Sequence, residues 1–97
     1  MSYLDKLFAP KSICIIGVSR SEGSLGKRFL NAVLGMKYTG KIYLVNPKAY
    51  EIEGIKCYPE VDVLPVVPDL AVVLLPRQFV YQSIKSLAQK GVKFIVV

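Results

Sequence analysis

The sequence predicts an α/β fold, a parallel sheet with flanking helices, and three observations predict it. Four short runs rich in Val and Ile, residues 13–16, 42–45, 70–75 and 94–97, are continuously apolar rather than alternating. That is the pattern of strands covered on both faces. Amphipathic stretches lie between the first and second runs and between the third and fourth. The order is therefore strand–helix–strand, crossover, strand–helix–strand, with right-handed connections. At 97 residues the chain suits a single small domain with a thin stability margin.

The elements follow in order. Residues 2–10 read as a short amphipathic helix packing Leu4, Leu7 and Phe8 on the sheet. The first strand covers residues 13–16. In the helix that follows, Leu25, Phe29, Val33 and Met36 recur at spacings of four, four and three, with Leu30 and Leu34 alongside. Lys27, Arg28 and Asn31 fall elsewhere on the wheel. Gly23 and Ser24 offer its start and Gly40 its stop. The second strand covers residues 42–45. Residues 47–69 are less regular: 54–58 read as a short extended piece and 60–64 as one helical turn, punctuated by Pro59, Pro65 and Pro68. After the third strand, Phe79, Val80, Ile84, Leu87 and Ala88 form a second amphipathic helix closed by Gly91. The fourth run ends on Val97. An uncovered strand at a chain end invites aggregation. Residues 1–97 are therefore expected to be one domain cut from a longer chain after its fourth main strand.

Composition removes several function classes. With no histidine, there is no imidazole base, no histidine metal ligand and no phosphohistidine carrier. The longest apolar run has six residues, against roughly 18 to 20 for a membrane span, so no membrane partner is expected. The N-terminus lacks the basic and apolar regions of a secretory signal. The two cysteines lack Cys-x-x-Cys spacing, which argues against a disulfide scaffold or a zinc site. A reduced, cytoplasmic setting is the default expectation. The 13 Lys and Arg against 7 Asp and Glu give +6, but no basic run exceeds Lys27-Arg28. Scattered bases do not make a nucleic-acid face; where they converge they suit a phosphorylated small molecule.

In an open parallel sheet, ligands bind beyond the carboxyl ends of the strands where the connections change side. Residues 17–26, Asn46-Pro47-Lys48 and Pro76-Arg77 converge there. The first is a glycine- and serine-rich turn entering a helix N-terminus, which makes either an anion cradle or a structural turn. It is not the dinucleotide fingerprint G-x-G-x-x-G, because Ser19 stands at the third position after Ile16. Nor does an acidic residue end the second strand, where Asn46 stands, so NAD is disfavoured. Gly26-Lys27 approaches a Walker A loop, but Ser21 replaces its leading glycine and Arg28 its hydroxyl. Cys14, set between isoleucines, reads as core. Cys57 does too, although Lys56 beside it would favour the thiolate. Tyr38, Tyr43, Tyr50, Tyr58 and Phe79 read as core or rim in preference to platforms for adenine.

Several linked motifs then carry a resemblance across nearly the whole chain. They are Leu7-Phe8-x-Pro10-Lys11-Ser12, Ile16-Gly17-Val18-Ser19 and Gly23-Ser24-x-Gly26. Further on come residues 43–48 (YLVNPK), 54–59 (GIKCYP), 67–70 (VPDL) and 90–93 (KGVK). In this order they resemble the N-terminal CoA-binding domain of the NDP-forming (ADP-forming) acyl-CoA synthetases, related to the succinyl-CoA synthetase α subunit. The resemblance implies a Rossmann-like fold with coenzyme A as ligand. It places the CoA phosphates near residues 19–24, Lys48 beside the CoA nucleotide and Pro76 on the adenine side. The candidate binding residues are Gly17, Ser19, Arg20, Ser21, Ser24, Gly26, Asn46, Pro47, Lys48, Pro76 and Arg77, with none catalytic and none for metal. Arg20 departs from the small or polar residue commoner there. The 3′-phosphate of CoA, carrying about −1.5 to −2 charges, asks for Lys48, Arg20 or Arg77.

In that family the segment beyond Val97 closes over the pantetheine arm. Acyl transfer there runs through a phosphohistidine on a later domain, and an ATP-grasp domain or subunit binds nucleotide. ATP, ADP and Mg²⁺ therefore belong to other parts of such a protein, and this chain is expected to bind rather than catalyse. A stand-alone or regulatory CoA- or nucleotide-binding domain, including one fused to a protein acetyltransferase, is the alternative. A NAD-sensing domain is the weaker one.

Overall fold

The computed structural model describes residues 9–21 and 23–97. The expected leading helix falls mostly on residues 1–8, outside them. The described elements are β1 (Ser12–Ile16), α1 (Leu25–Gly35), β2 (Lys41–Val45), β3 (Glu51–Ile52), β4 (Ile55–Tyr58), a 3₁₀ turn (Val61–Val63), β5 (Leu70–Val73), α2 (Arg77–Lys90) and β6 (Phe94–Val96). The sheet order is β3-β4-β2-β1-β5-β6. β4, β2, β1, β5 and β6 are parallel, and β3 runs antiparallel to β4. All four apolar runs are strands of this sheet, and the turn expected at 60–64 is the 3₁₀ segment.

The continuous apolar character of β1 has a direct cause. Cys14 and Ile16 face one way, into a core with Val45, Ala71, Val73, Leu87 of α2 and Val92. Ile13 and Ile15 face the other way, with Val18, Leu30 of α1, Leu44, Ile52 and Val72. One helix covers each face, so neither set of side chains meets water.

Three local readings are corrected. First, α1 buries only the middle of the face its apolar spacing suggested, Phe29 in part and Leu30 and Val33 fully. Leu25 is 63% exposed and Met36 79%, whereas Lys27 is 3% exposed and packs inward with Leu30 and Val33. The helix is rotated because Gly26 seats on the exit of β1 and Lys27 turns inward to Glu53, its ammonium 3.0 Å from the carboxylate. Second, α1 ends at Gly35 with Met36 as cap, not at Gly40, and Lys37 follows at φ 58°. α2 does end on Gly91, at φ 102°, but Phe79 and Ala88 are exposed and Leu87 is its buried anchor. Third, the extended piece at 54–58 is one arm of a hairpin. β3 and β4 join through Glu53 and Gly54, at φ 54° and 77°, the double left-handed geometry of a two-residue hairpin turn.

Both cysteines are buried and free. Burial pushes the Cys14 thiol up from 9.0 to about 12. It also raises Cys57, where desolvation outweighs the opposing effect of Arg20. Cys57 is thus not activated as a thiolate. A raised thiol pKa means the folded chain keeps a proton that the unfolded chain releases. Stability should therefore fall between about pH 9 and 12, by about 1.4 kcal/mol per unit for one such group. Urea unfolding across that window should show a shallower slope for Cys14→Ala than for the parent chain, and equal slopes would contradict this.

Candidate ligand-binding site

The site is built where β1, β2 and β5 end. Gly17 leaves β1 at φ 105°, and a Cβ there would lie 2.6 Å from the carbonyl carbon of Leu74. That close approach lets the Leu74 N–H donate to the Ile16 carbonyl at 2.7 Å. Gly26 lies in the first turn of α1, and a Cβ on it would fall 2.5 Å from the Gly17 oxygen and 2.6 Å from Val18 Cα. Two glycines thus bring the N-terminus of α1 onto the carboxyl end of β1. The first turn of α1 has no acidic residue, so the positive end of its dipole stays uncompensated by its own side chains.

The serines mainly shape the loop. Ser24 caps α1: its Oγ accepts the Lys27 N–H at 3.1 Å, and its hydroxyl donates to the Ser21 carbonyl at 3.0 Å. Ser19 Oγ accepts the Ser21 N–H at 3.3 Å. An N-cap of this kind is worth about 1 kcal/mol.

Asn46 is a clip between strands. Its N–H donates to the Tyr58 carbonyl at 2.9 Å, and its Nδ2 to the Val18 carbonyl at 2.8 Å. Its Oδ1 accepts the N–H groups of Lys48 at 2.7 Å and Ala49 at 3.0 Å. The side chain at the end of β2 is thereby used to fold the turn through Pro47, and it presents Lys48 outward. An acid reading a ribose diol at this position has no counterpart here.

Three cavities flank that turn: one of about 560 Å³ lies on the β4 side against Pro47, Lys48, Lys56 and Tyr58, and two lie nearer the loop that leaves β1. One, of about 530 Å³, is lined by Ser19, Arg20, Asn46, Lys48, Ala49 and Tyr50. The other, of about 450 Å³, lies on the α2 side against Gly17, Val18, Pro47, Leu75, Phe79 and Gln82. A larger one of about 860 Å³ opens at the amino ends of the strands, beside Ala9 and Tyr38. It shares no lining residue with the glycine- and serine-rich loop and lies at the wrong end of the sheet for this architecture.

Gly17, Ser19, Arg20, Asn46, Pro47 and Lys48 are therefore gathered around two adjoining cavities. Ser21, Ser24 and Gly26 shape the loop between them. Pro76 and Arg77 stand at the start of α2, exposed, and line neither cavity. Of the candidate cations Arg20, Lys48 and Arg77, Arg20 is the least free. Its Nε and Nη2 donate to the Glu51 carbonyl at 3.1 and 2.7 Å, and Nη2 lies 3.5 Å from that residue's carboxylate. Of the aromatics, Tyr43 and Tyr58 pack on each other, and Tyr38 donates to the Pro10 carbonyl. Tyr50 and Phe79 do line the cavities. Phe79 and Gln82, spaced by three on one helix face, are the signal that would have found the α2 wall. Among the described residues no group of His, Cys, Asp and Glu is placed to hold a metal ion, and no helix is long and apolar enough to cross a membrane.

Fold and site define a Rossmann-like domain with a glycine- and serine-rich loop at a helix N-terminus. Comparison with known proteins gives its family: residues 11–97 match the CoA binding domain model, and the chain belongs to that family. It is 43% identical over 94 residues to a trans-feruloyl-CoA synthase from an unknown prokaryotic organism, covering 97% of this chain and 13% of that one. It is 40% identical over 97 residues to ADP-forming acetate–CoA ligase II of Archaeoglobus fulgidus, covering 97% and 14%. Among solved structures, acetyl-coenzyme A synthetase 1 of Ca. Korarchaeum cryptofilum, in complex with phosphate and ADP, superposes with a TM-score of 0.93. Its identity is 38%, over 97% of this chain and 20% of that one. The chain therefore spans about one-seventh of the length of the two curated relatives.

Proposed function

We propose that this chain binds coenzyme A at the carboxyl ends of β1 and β2, as the CoA-binding module of an NDP-forming acyl-CoA synthetase. The observation that carries the reading is the convergence of Arg20 and Lys48 on one cavity beside the N-terminus of α1, in a chain of the CoA binding domain family. A polyanion fits that chemistry. The diphosphate would lie at the mouth of the loop formed by residues 19–24, where the helix dipole favours negative charge. Lys48, exposed and aimed by the Asn46 clip, would answer the 3′-phosphate with a charge-assisted contact. The apolar cavity against Val18, Pro47, Leu75 and Phe79 suits an uncharged part of the ligand.

Catalysis belongs elsewhere in this reading. The sequence has no histidine to carry a phosphoryl group. That step, and ATP-grasp chemistry with nucleotide and Mg²⁺, would lie on further domains or subunits of a cytoplasmic synthetase.

A second reading is favoured by one observation. A conserved hypothetical protein from Pyrococcus furiosus is 30% identical with a TM-score of 0.80, and this chain covers 72% of it. Such a domain thus also occurs in a chain little longer than itself, which supports a stand-alone CoA-binding module. Both readings expect the same ligand. In equilibrium titrations CoA should bind one to one, and NAD and ATP should compete weakly; NAD binding as tightly as CoA would overturn both.

A further inference from the structure

The β3–β4 hairpin is fastened to the loop that connects β1 to α1 and to the helix turn that follows it. Midway along that loop, the guanidinium of Arg20 makes two hydrogen bonds to the Glu51 carbonyl. In the first turn of α1, Lys27 Nζ lies 3.0 Å from Glu53 Oε1, and the lysine side chain is only 4% exposed. A buried lysine is uncommon without a counter-charge. One in the first turn of a helix also opposes the dipole. Its counter-charge comes from a residue in the left-handed region, φ 54°, where a non-glycine side chain is disfavoured. Glu51 braces the turn that holds Glu53, its Oε2 accepting the Gly54 N–H at 2.8 Å. Two unfavourable placements, Lys27 inside and Glu53 left-handed, are thus kept together to tie one hairpin to one helix turn.

We propose that the β3–β4 hairpin is a clamp that holds Ser19, Arg20, Ser21 and Ser24 in their ligand-ready arrangement, with Glu53 acting through Lys27 as a positioning residue. The inference rests on reading their loop as the CoA phosphate cradle. A clamp of this kind acts by preorganisation: the ligand need not order the loop on binding. Glu53 is not among the residues lining the three cavities that flank the Asn46 turn.

Charge gives the test a decisive sign. Removing a carboxylate near a polyanion's site would tighten binding by Coulomb attraction alone. Loss of a clamp weakens it. The experiment compares the parent chain with Glu53→Gln, Lys27→Met and the double variant. It measures melting temperature, the CoA dissociation constant well below the lowest melting point, and amide exchange in residues 19–27. Glu53→Gln should raise the dissociation constant about three- to tenfold and speed exchange in that segment. Lys27→Met should do the same while melting no lower than Glu53→Gln, since methionine needs no counter-charge, so it carries the test if the glutamine variant folds poorly. The double variant should be less damaging than the two single effects added together, because both changes break the shared Lys27–Glu53 pair. Unchanged affinity and exchange in both single variants, whatever the melting temperatures, would overturn the clamp; so would tighter binding by Glu53→Gln. If the parent chain binds no CoA, the functional reading fails, and exchange alone decides: faster exchange in both variants supports the clamp and unchanged exchange overturns it.

Discussion

Gly17→Ala should destabilise this domain by about 3 kcal/mol or more, the largest effect expected of any single loop substitution. Two costs add. Gly17 sits at φ 105°, where an L side chain is strained, and the new methyl would overlap the Leu74 carbonyl, a backbone group with no rotamer to move. Relief would require β1 and the segment after β5 to separate. Their separation breaks the bond from the Leu74 N–H to the Ile16 carbonyl and lifts the seat of α1, because Gly26 packs on Gly17 and Val18. For a domain of this size the melting temperature should drop by roughly 12 to 24 °C. Thermal or urea unfolding measures it. A loss under 1 kcal/mol would mean that the turn relaxes freely and that the glycine is no structural requirement.

Lys48→Ala should do the opposite: leave the fold intact and weaken ligand binding. Lys48 is exposed, and its place in the turn is fixed through its backbone N–H on Asn46 Oδ1, which alanine retains. Stability should therefore stay within about 0.5 kcal/mol of the parent. A charge-assisted contact is worth about 1.5 to 3 kcal/mol. Exposure places this one toward the lower end, so the CoA dissociation constant should rise about tenfold. The difference should shrink as salt is added, since screening weakens the same charge. An unchanged dissociation constant at low salt would place the phosphate contact on other residues.

The parts of the fold legible in the sequence are those set by local pattern. Val- and Ile-rich runs revealed the parallel strands because each strand is covered on both faces, as Cys14 and Ile16 against Ile13 and Ile15 demonstrate. The glycine at the end of α2 behaved as its composition required, because a left-handed cap is a local property. Features set by distant partners were hidden. Nothing near Lys27 announces that it turns inward, since its counter-charge lies on a hairpin 26 positions away. The hairpin was itself obscured, because Glu53 occupies a turn position that usually takes Asn, Asp or Gly.

The candidate site divides the same way. Its loops were legible from the ends of the strands, and the residues that line its cavities include Ser19, Arg20, Asn46 and Lys48. The α2 wall, with Phe79 and Gln82, was not, because it depends on how the helix turns after Arg77. Asn46 was legible only as a missing acid; its part as a clip depends on the carbonyls of Val18 and Tyr58, which folding alone brings near.

The central claim is that these loops form a site for a molecule bearing a phosphate monoester as well as a diphosphate. Calorimetric titration of the chain with CoA and with dephospho-CoA, side by side at low salt, tests it most directly. CoA should bind one to one and about tenfold or more tighter than dephospho-CoA, the difference reflecting the one extra phosphate that Lys48 and its neighbours meet. Equal affinity for the two, or no binding of CoA at all, would contradict it.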